Sequence, residues 1–289
     1  MKNVSLVLSG GGARGLAHIG VIEALENQNY NIHAITGTSM GALIGGVYAA
    51  GNLKAFKEWI INLDKVDVFK LIDFTLIGNG FVKGDRVFNE LKTFIPDINI
   101  EDLDIKYAAT ATDITNRQEI VFTEGNLLSA IRASVSIPSV FTPVKNNDAI
   151  LVDGGVVNNI PINHAKRIAE DVLIAVNVNA NVPIPKKNEP EVKEDFKYQN
   201  LLNSFNKSIH KLLPTDNKNS LGYFDIMNKS YEMMRDQLVK LYLEIDPPDV
   251  LIEISRNFCN IYDFYRAEDL IVLGYETTRN RIAKNNFNV

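Results

Sequence analysis

The sequence predicts an α/β protein whose central sheet is mostly parallel. Three observations carry that expectation. Residues 4 to 36 read as strand, glycine loop, helix and second strand, a βαβ unit whose strands run parallel. Residues 31 to 51 read as strand, tight turn and helix around Gly37-Thr38-Ser39-Met40-Gly41. Further short apolar runs follow at Lys106 to Ile114, Gln118 to Thr123, Asp148 to Val152 and Asp171 to Asn179.

Composition bounds the function. The 289 residues suffice for one large domain or two smaller ones with a sizeable core. Hydrophobic residues make up 46% and charged residues 22%, which is a globular balance. A net charge of −5 leaves no basic footprint for nucleic acid and argues against strong charge-driven docking on anionic lipid. The single cysteine, Cys259, excludes an internal disulfide framework and a Cys-rich zinc site, and reads as a small buried hydrophobe. The apolar run Val4 to Leu8 is too short for a signal-peptide core, and no later segment reaches the length of a membrane span. The expectation is a cytoplasmic protein whose contact with membrane, if any, is peripheral.

Taken in order, Val4 to Leu8 is a buried strand ended by glycines, followed by Ser9-Gly10-Gly11-Gly12-Ala13-Arg14-Gly15. The next helix carries Leu16, Ile19, Gly20, Ile22 and Leu25 on its apolar side, and Ile32 to Thr36 is the second strand. From Leu53 to Ile105 the chain is mainly helical, at Ala55 to Leu63 and Asp85 to Ile95. Between them Leu71 to Val82 is apolar and glycine-interrupted, either a buried connector or a flap over an acyl cleft. Asn126 to Val135 is a helix stopped before Pro138, and Pro161 suits the first turn of another. Residues 181 to 194 shift to Pro, Lys, Glu and Asn, a solvated linker. Two amphipathic helices follow, the second carrying Met227, Tyr231, Met234, Leu238, Leu241 and Ile245. Such a stripe is ordinarily core packing, and alternatively a dimer or membrane face. A strand at Val250 to Ile254 and a helix at Arg266 to Asn280 are expected to return to the main sheet. The chain thus divides into a catalytic part at 1–180, a linker and helical region at 181–248, and a returning strand and helix at 249–289.

Two motifs point to chemistry. G-x-S-x-G on a strand-to-helix turn projects the Ser39 hydroxyl from the backbone, with Gly37 and Gly41 avoiding collisions, while the following helix offers its unpaired N–H groups. Gly10-x-Gly12-x-x-Gly15 matches the dinucleotide fingerprint, but the second strand ends in the serine turn rather than a ribose-binding carboxylate, and no Walker lysine is present. The other reading makes the glycine loop a set of backbone donors beside Ser39, since loops at the carboxyl ends of adjacent parallel strands share one crevice. Of the four histidines, His18, His33, His164 and His210, none is suited to serve Ser39. Asp153, freed at a strand end by Gly154 and Gly155, is the better base.

These three motifs, in this order, resemble the patatin-like phospholipases of bacterial type, over roughly residues 4 to 180. That resemblance implies a three-layer α/β/α fold with a helical C-terminal region, and lipid acyl-ester hydrolysis through a Ser–Asp dyad. It implies Ser39 as nucleophile, Asp153 as base, the Gly10–Gly12 backbone as oxyanion hole with Arg14 steadying the loop, a lipid or lysolipid substrate, and no cofactor or metal. Ser9 stands where the plant patatins have Asp, and the third motif ends in Gly rather than Ala. Rival expectations are an acyltransferase or small-ester esterase with the same dyad, and a lipid-binding adaptor that works through its helical part.

Overall fold

The computed structural model of the chain describes residues 1–71, 84–138, 140–185 and 223–284. The candidate flap at 71–82 and the first amphipathic helix at 201–213 lie, almost or wholly, outside the described residues, as does His210.

Eight strands form one mixed sheet. They are β1 (Lys2–Leu8), β2 (Tyr30–Thr38), β3 (Lys106–Asp113), β4 (Gln118–Phe122), β5 (Val144–Asn146), β6 (Ala149–Asp153), β7 (Val172–Ala180) and β8 (Val250–Ser255). The order is β5-β6-β3-β2-β1-β7-β8, with β4 also paired to β3. The five strands from β3 to β8 run parallel, and β4, β5 and β6 add antiparallel pairs at one side. The helices are α1 (Ala17–Asn27), α2 (Met40–Ala49), α3 (Leu53–Ile61), α4 (Lys65–Leu71), α5 (Asp85–Leu91), α6 (Leu127–Ser134), α7 (Tyr223–Ile245) and α8 (Ala267–Lys284). This is the mostly parallel, helix-flanked sheet of a patatin-like fold.

Strand alternation explains the layers. Val4, Leu6 and Leu8 of β1 enter the larger core with residues of α1, α2 and α8. Val7 enters a second core with Ile160, Ile162, Leu173, Ala175 and Val239. Side chains one apart on a strand face opposite sides, so α7, through Val239, lies against the opposite face of the sheet. The stripe expected to pack is split by this arrangement. Val239 is buried, whereas Met227, Met234, Leu241 and Ile245 are exposed.

One sequence expectation is corrected. Pro161 opens no α-helix: Ile162–His164 is a single 3-10 turn, with Pro161 just before it. Three consecutive polar bonds hold that segment locally, Asn158 to Glu119 and Asn163, and His164 to Glu119 at 2.9 Å. The short β5 falls in a stretch to which the sequence assigns no element, because three residues carry too little periodicity to register.

Helices α1 and α8 meet through glycines. A Cβ on Gly20 would strike the Ile271 carbonyl oxygen, and one on Gly274 would strike the Ala17 carbonyl oxygen. Each glycine therefore admits the other helix's backbone. Gly20→Ala and Gly274→Ala are each expected to cost about 1–3 kcal/mol through overpacking, read as a lowered melting temperature. Unchanged melting in both would remove this account of the contact.

Candidate active site

Strand β3 brings the two candidate chemical groups together. Thr38, the last residue of β2, pairs with Thr110 of β3, and Asp153, the last of β6, pairs with Ala111. The next residue after Thr38 is Ser39, so the serine and the aspartate leave the sheet beside adjacent residues of one strand. Thr38 Oγ1 lies 2.7 Å from Thr110 Oγ1 and donates to the Asn158 carbonyl at 2.9 Å. The Asp153 N–H donates to the Ser136 carbonyl at 2.9 Å, and its carbonyl accepts from Thr112 Oγ1 at 3.1 Å.

Ser39 is 4% exposed and has φ 54° and ψ −121°, a strained conformation for a residue with a side chain. Its N–H donates to Ser134 Oγ at 2.8 Å. The turn is tight enough that a Cβ on Gly37 would lie 2.5 Å from the Ala42 nitrogen, and one on Gly41 would strike the Leu8 carbonyl. Those collisions are the physical reason for both motif glycines. Gly154 is constrained in the same way, its Cα pressed against Thr110.

Asp153 is buried, and burial raises its pKa to about 6; the Ser39 hydroxyl, the Gly155 N–H and the charge of Arg235 each pull it back down. Oδ1 accepts from the Gly155 N–H at 2.7 Å. Oδ2 is buried with no hydrogen bond of good geometry among the described residues, although the serine is near enough to act on the carboxylate. Hydrogen bonds of catalytic pairs commonly tighten only when substrate is bound.

The glycine loop runs beside the serine. A Cβ on Gly10 would come within 3.1 Å of the Ser39 Cβ and 2.6 Å of Asn159 Oδ1. Each carbonyl of the loop has a buried partner. The Ser9 carbonyl accepts from His18 Nε2 at 2.8 Å, the Gly10 carbonyl from Asn179 Nδ2 at 2.6 Å and Asn159 Nδ2 at 3.4 Å, and the Gly11 carbonyl from Arg14 Nε at 3.4 Å. A trans peptide points its C=O and N–H in opposite directions. Anchoring the Gly10 and Gly11 carbonyls therefore fixes where the Gly11 and Gly12 N–H groups point. The Gly10 N–H itself donates to the Asn159 carbonyl at 3.0 Å. The expected three donors reduce to two, Gly11 and Gly12. Gly12 has φ +57°, and a Cβ there would lie 2.5 Å from the Ile261 carbonyl. Gly15 is also steric, because a Cβ would strike the Met40 side chain.

The three described histidines are all committed elsewhere. Burial lowers the His18 pKa to about 4, so the ring is neutral and donates from Nε2 to the loop. His33 meets Asp171 at 2.8 Å and His164 meets Glu119. His18 is thus a prop of the glycine loop rather than a surface residue. Cys259 is half-buried, with its thiol pushed up to about 11 by burial. Among the described residues no group of three or more His, Cys, Asp and Glu could hold a metal ion. No helix among them is long and apolar enough to cross a membrane.

Sequence reasoning missed Ser134, Asn179, Tyr231 and Arg235. Only Asn179 left a signal: Asn177 and Asn179 alternate in the otherwise apolar run VLIAVNVNA, marking a polar face at that end of β7.

Fold and elbow together define an α/β protein of patatin-like architecture. A family model described as patatin-like phospholipase matches residues 6–166. An uncharacterised NTE family protein of Mycobacterium tuberculosis is 30% identical over 319 aligned residues, covering 94% of this chain and 89% of its own length. Lysophospholipase NTE1 of Yarrowia lipolytica is 34% identical over 185 aligned residues, 61% of this chain but 13% of that protein. In fold, the chain is similar to VipD from Legionella pneumophila, with a TM-score of 0.59, 17% identity, and coverage of 98% of this chain and 67% of that one. The chain belongs to the patatin-like phospholipase family.

The raised pKa gives a stability test. The folded protein binds the Asp153 proton more tightly than the unfolded chain does, so the ionised carboxylate costs stability above about pH 6 and nothing below about pH 4. Asp153→Asn is expected to stabilise the fold at pH 7 by up to about 3 kcal/mol, with the gain fading towards pH 4. Thermal unfolding across that range checks it; a variant less stable than wild type at pH 7 would refute the buried charge.

Proposed function

We propose that the chain is a lipid acyl hydrolase, cleaving carboxylic esters of lipids through Ser39 and Asp153. The observation that carries this reading is the shared register on β3, which sets the serine turn and the aspartate side by side with a donor loop next to them. Membership of the family supports the substrate class, as does the name of the yeast relative, a lysophospholipase.

The Ser39 hydroxyl oxygen attacks the ester carbonyl carbon while its proton passes to Asp153. The carbonyl oxygen becomes an oxyanion facing the Gly11 and Gly12 N–H groups, whose directions the Asn179 and Arg14 contacts fix in advance. Collapse of the intermediate breaks the ester bond, and the leaving alcohol takes the proton back from Asp153. Water then attacks the acyl-enzyme carbonyl as its proton passes to Asp153; the bond to Ser39 Oγ breaks, Ser39 takes that proton back, and the fatty acid leaves. An aspartate with an ordinary pKa is a weak base. Raising it to about 6 brings its basicity towards working pH while it stays ionised at neutrality.

Labelling by a fluorophosphonate probe tests the nucleophile. Wild type should label, and Ser39→Ala should not. Asp153→Asn should slow labelling by roughly 10³-fold or more, in line with losing one member of a concerted set. A folded wild type that stays inert, in buffer and with detergent micelles, would defeat the proposal. The labelling rate should also fall about tenfold per pH unit below about pH 6 and stay level above it, because only the ionised aspartate accepts the proton.

Asn179→Ala removes the shorter of the two bonds to the Gly10 carbonyl and loosens the direction of the Gly11 donor. We expect kcat to fall by about 10²-fold, comparable to losing an oxyanion donor, with KM much less affected. An equal rise in KM with kcat intact would mean that Asn179 serves binding instead.

A further inference from the structure

The segment from Asp153 to His164 touches every part of the candidate site, and one side chain from outside holds that segment. The Gly155 N–H donates to Asp153 Oδ1 at 2.7 Å. The Asn158 carbonyl accepts from Thr38 Oγ1 at 2.9 Å, one residue before the serine. The Asn159 carbonyl accepts from the Gly10 N–H at 3.0 Å, one residue before the Gly11 donor. Two successive carbonyls therefore tie the serine turn and the glycine loop to one short stretch of backbone. A shift of that stretch would move the nucleophile and the donors.

Glu119 fixes the stretch from β4. It stands opposite Thr112 in the antiparallel β3–β4 pair, and Thr112 Oγ1 donates to the Asp153 carbonyl. Glu119 Oε1 accepts from Asn158 Nδ2 at 2.9 Å, and Oε2 meets His164 Nε2 at 2.9 Å. A carboxylate only accepts, so His164 donates to it from Nε2. Asn158 Nδ2 also donates to Asn163 Oδ1 at 2.8 Å. The His164 carbonyl accepts from Thr36 Oγ1 at 3.3 Å, on the strand that leads to Ser39. One carboxylate thus closes the loop 158–164 at both ends. Its side chain is 19% exposed, so these bonds form largely away from water, where they are stronger.

Asn158 bears a cost in this arrangement. It is fully buried, and its Oδ1 has no hydrogen-bond partner among the described residues. An unpaired buried carbonyl is unfavourable, and an apolar side chain would avoid it. What the amide gains in exchange is the pair of Nδ2 bonds that fix the backbone at 158.

We infer that Glu119 is a positioning residue for acyl transfer: through Asn158 it holds the backbone that aligns Ser39 with the Gly11 and Gly12 donors. The inference rests on the acyl-hydrolase reading and adds to it a residue that no motif contains.

Hydrolysis of p-nitrophenyl butyrate, a soluble ester, tests this on the full chain. Glu119→Met keeps the volume and loses both acceptors; kcat should fall at least about tenfold, with KM within about twofold. Glu119→Gln still accepts from Asn158 and can donate to His164 in its other tautomer, so kcat should stay within about threefold of wild type. The fluorophosphonate labelling rate, read in the same variants, should change in parallel. A carboxylate needed only for stability would lower the melting temperature of Glu119→Met and leave kcat of the folded protein unchanged, which would overturn the inference. So would a Glu119→Gln as impaired as Glu119→Met, since charge rather than hydrogen bonding would then matter. The double variant with Asn158→Ala checks the route. Once that link is gone, Glu119→Met should cost no further activity, and losses that multiply would refute it. If Glu119→Met does not fold, Glu119→Asp replaces it. The shorter arm cannot span both partners, so kcat should fall at least about threefold, and a wild-type kcat there would sink the proposal. A folded wild type that neither hydrolyses the ester nor labels defeats the acyl-hydrolase reading, and this inference with it. An active wild type matched by Glu119→Met defeats this inference alone.

Discussion

The site depends on the pairing of β3 with two strands of opposite direction. Along residues 106–110 it pairs with parallel β2, and along 111–113 with antiparallel β6. The change of partner falls between Thr110 and Ala111, and Ser39 and Asp153 leave the sheet at that step. Their relative position is thus set by backbone hydrogen bonds rather than by loop conformation. A one-residue slip of β6 would turn its side chains to the other face of the sheet. The Thr38–Thr110 hydroxyl contact and the Thr112–Asp153 bond reinforce the register from the side chains. Rigid elements of this kind hold reacting groups more tightly than loops can.

On that frame the glycine loop is organised by complete satisfaction of its carbonyls. β7 outlasts β1: Val176 accepts from the Ser9 N–H, the Val178 N–H donates to Ser9 Oγ, and Asn179 reaches the Gly10 carbonyl. His18 and Arg14 complete the set from the other side of the loop. Among the described residues the Gly11 and Gly12 N–H groups have no backbone partner, in a setting where unpaired buried donors are costly. In the proposed reaction such donors would meet negative charge with little reorganisation. Burial acts oppositely on the two titrating groups nearby. It depresses His18, whose stabilising effect is lost as pH falls from about 6.5 towards 4, and raises Asp153, whose cost disappears over a similar interval.

How much of this was legible follows from the range of each interaction. Ser39, the glycine loop and Asp153 sit in local patterns, strand then turn then helix, where the glycines answer steric needs within a few residues or against the neighbouring strand. Those patterns were readable. Ser134 acts on Ser39 across 95 positions of sequence by a 2.8 Å bond, and Arg235 acts on Asp153 across 82 positions by its field. No local periodicity encodes such partners. That His18 props the glycine loop was not legible, because its full burial and its bond to the Ser9 carbonyl are tertiary facts. The segment after Pro161 misled for a related reason: its propensity favoured a helix, but contacts with Glu119 and the small second core hold a single turn. The exposed methionines of α7 look like core in one dimension because only Val239 and its neighbours meet the sheet.

The α7 segment thereby changes meaning. From sequence alone it is an appendix with an amphipathic stripe. In three dimensions Val239 seats it on the second face of the sheet, and Arg235 and Tyr231 lie one and two turns earlier, near Asp153. Burial and the Asp153 charge raise the Tyr231 pKa to about 12, so that phenol stays neutral beside the carboxylate. Arg235 acts in the opposite sense at both groups, favouring the ionised aspartate and pulling the Tyr231 pKa back down. The basicity of Asp153 is accordingly a balance between burial, which the family-matched core supplies, and a positive charge delivered by a helix beyond it. A chain with the same three motifs but a different helix here would keep the dyad geometry and alter its pKa. The pKa of Asp153 is thus set in part by a stretch of the chain that carries no motif, while the motifs fix where the serine and the aspartate stand.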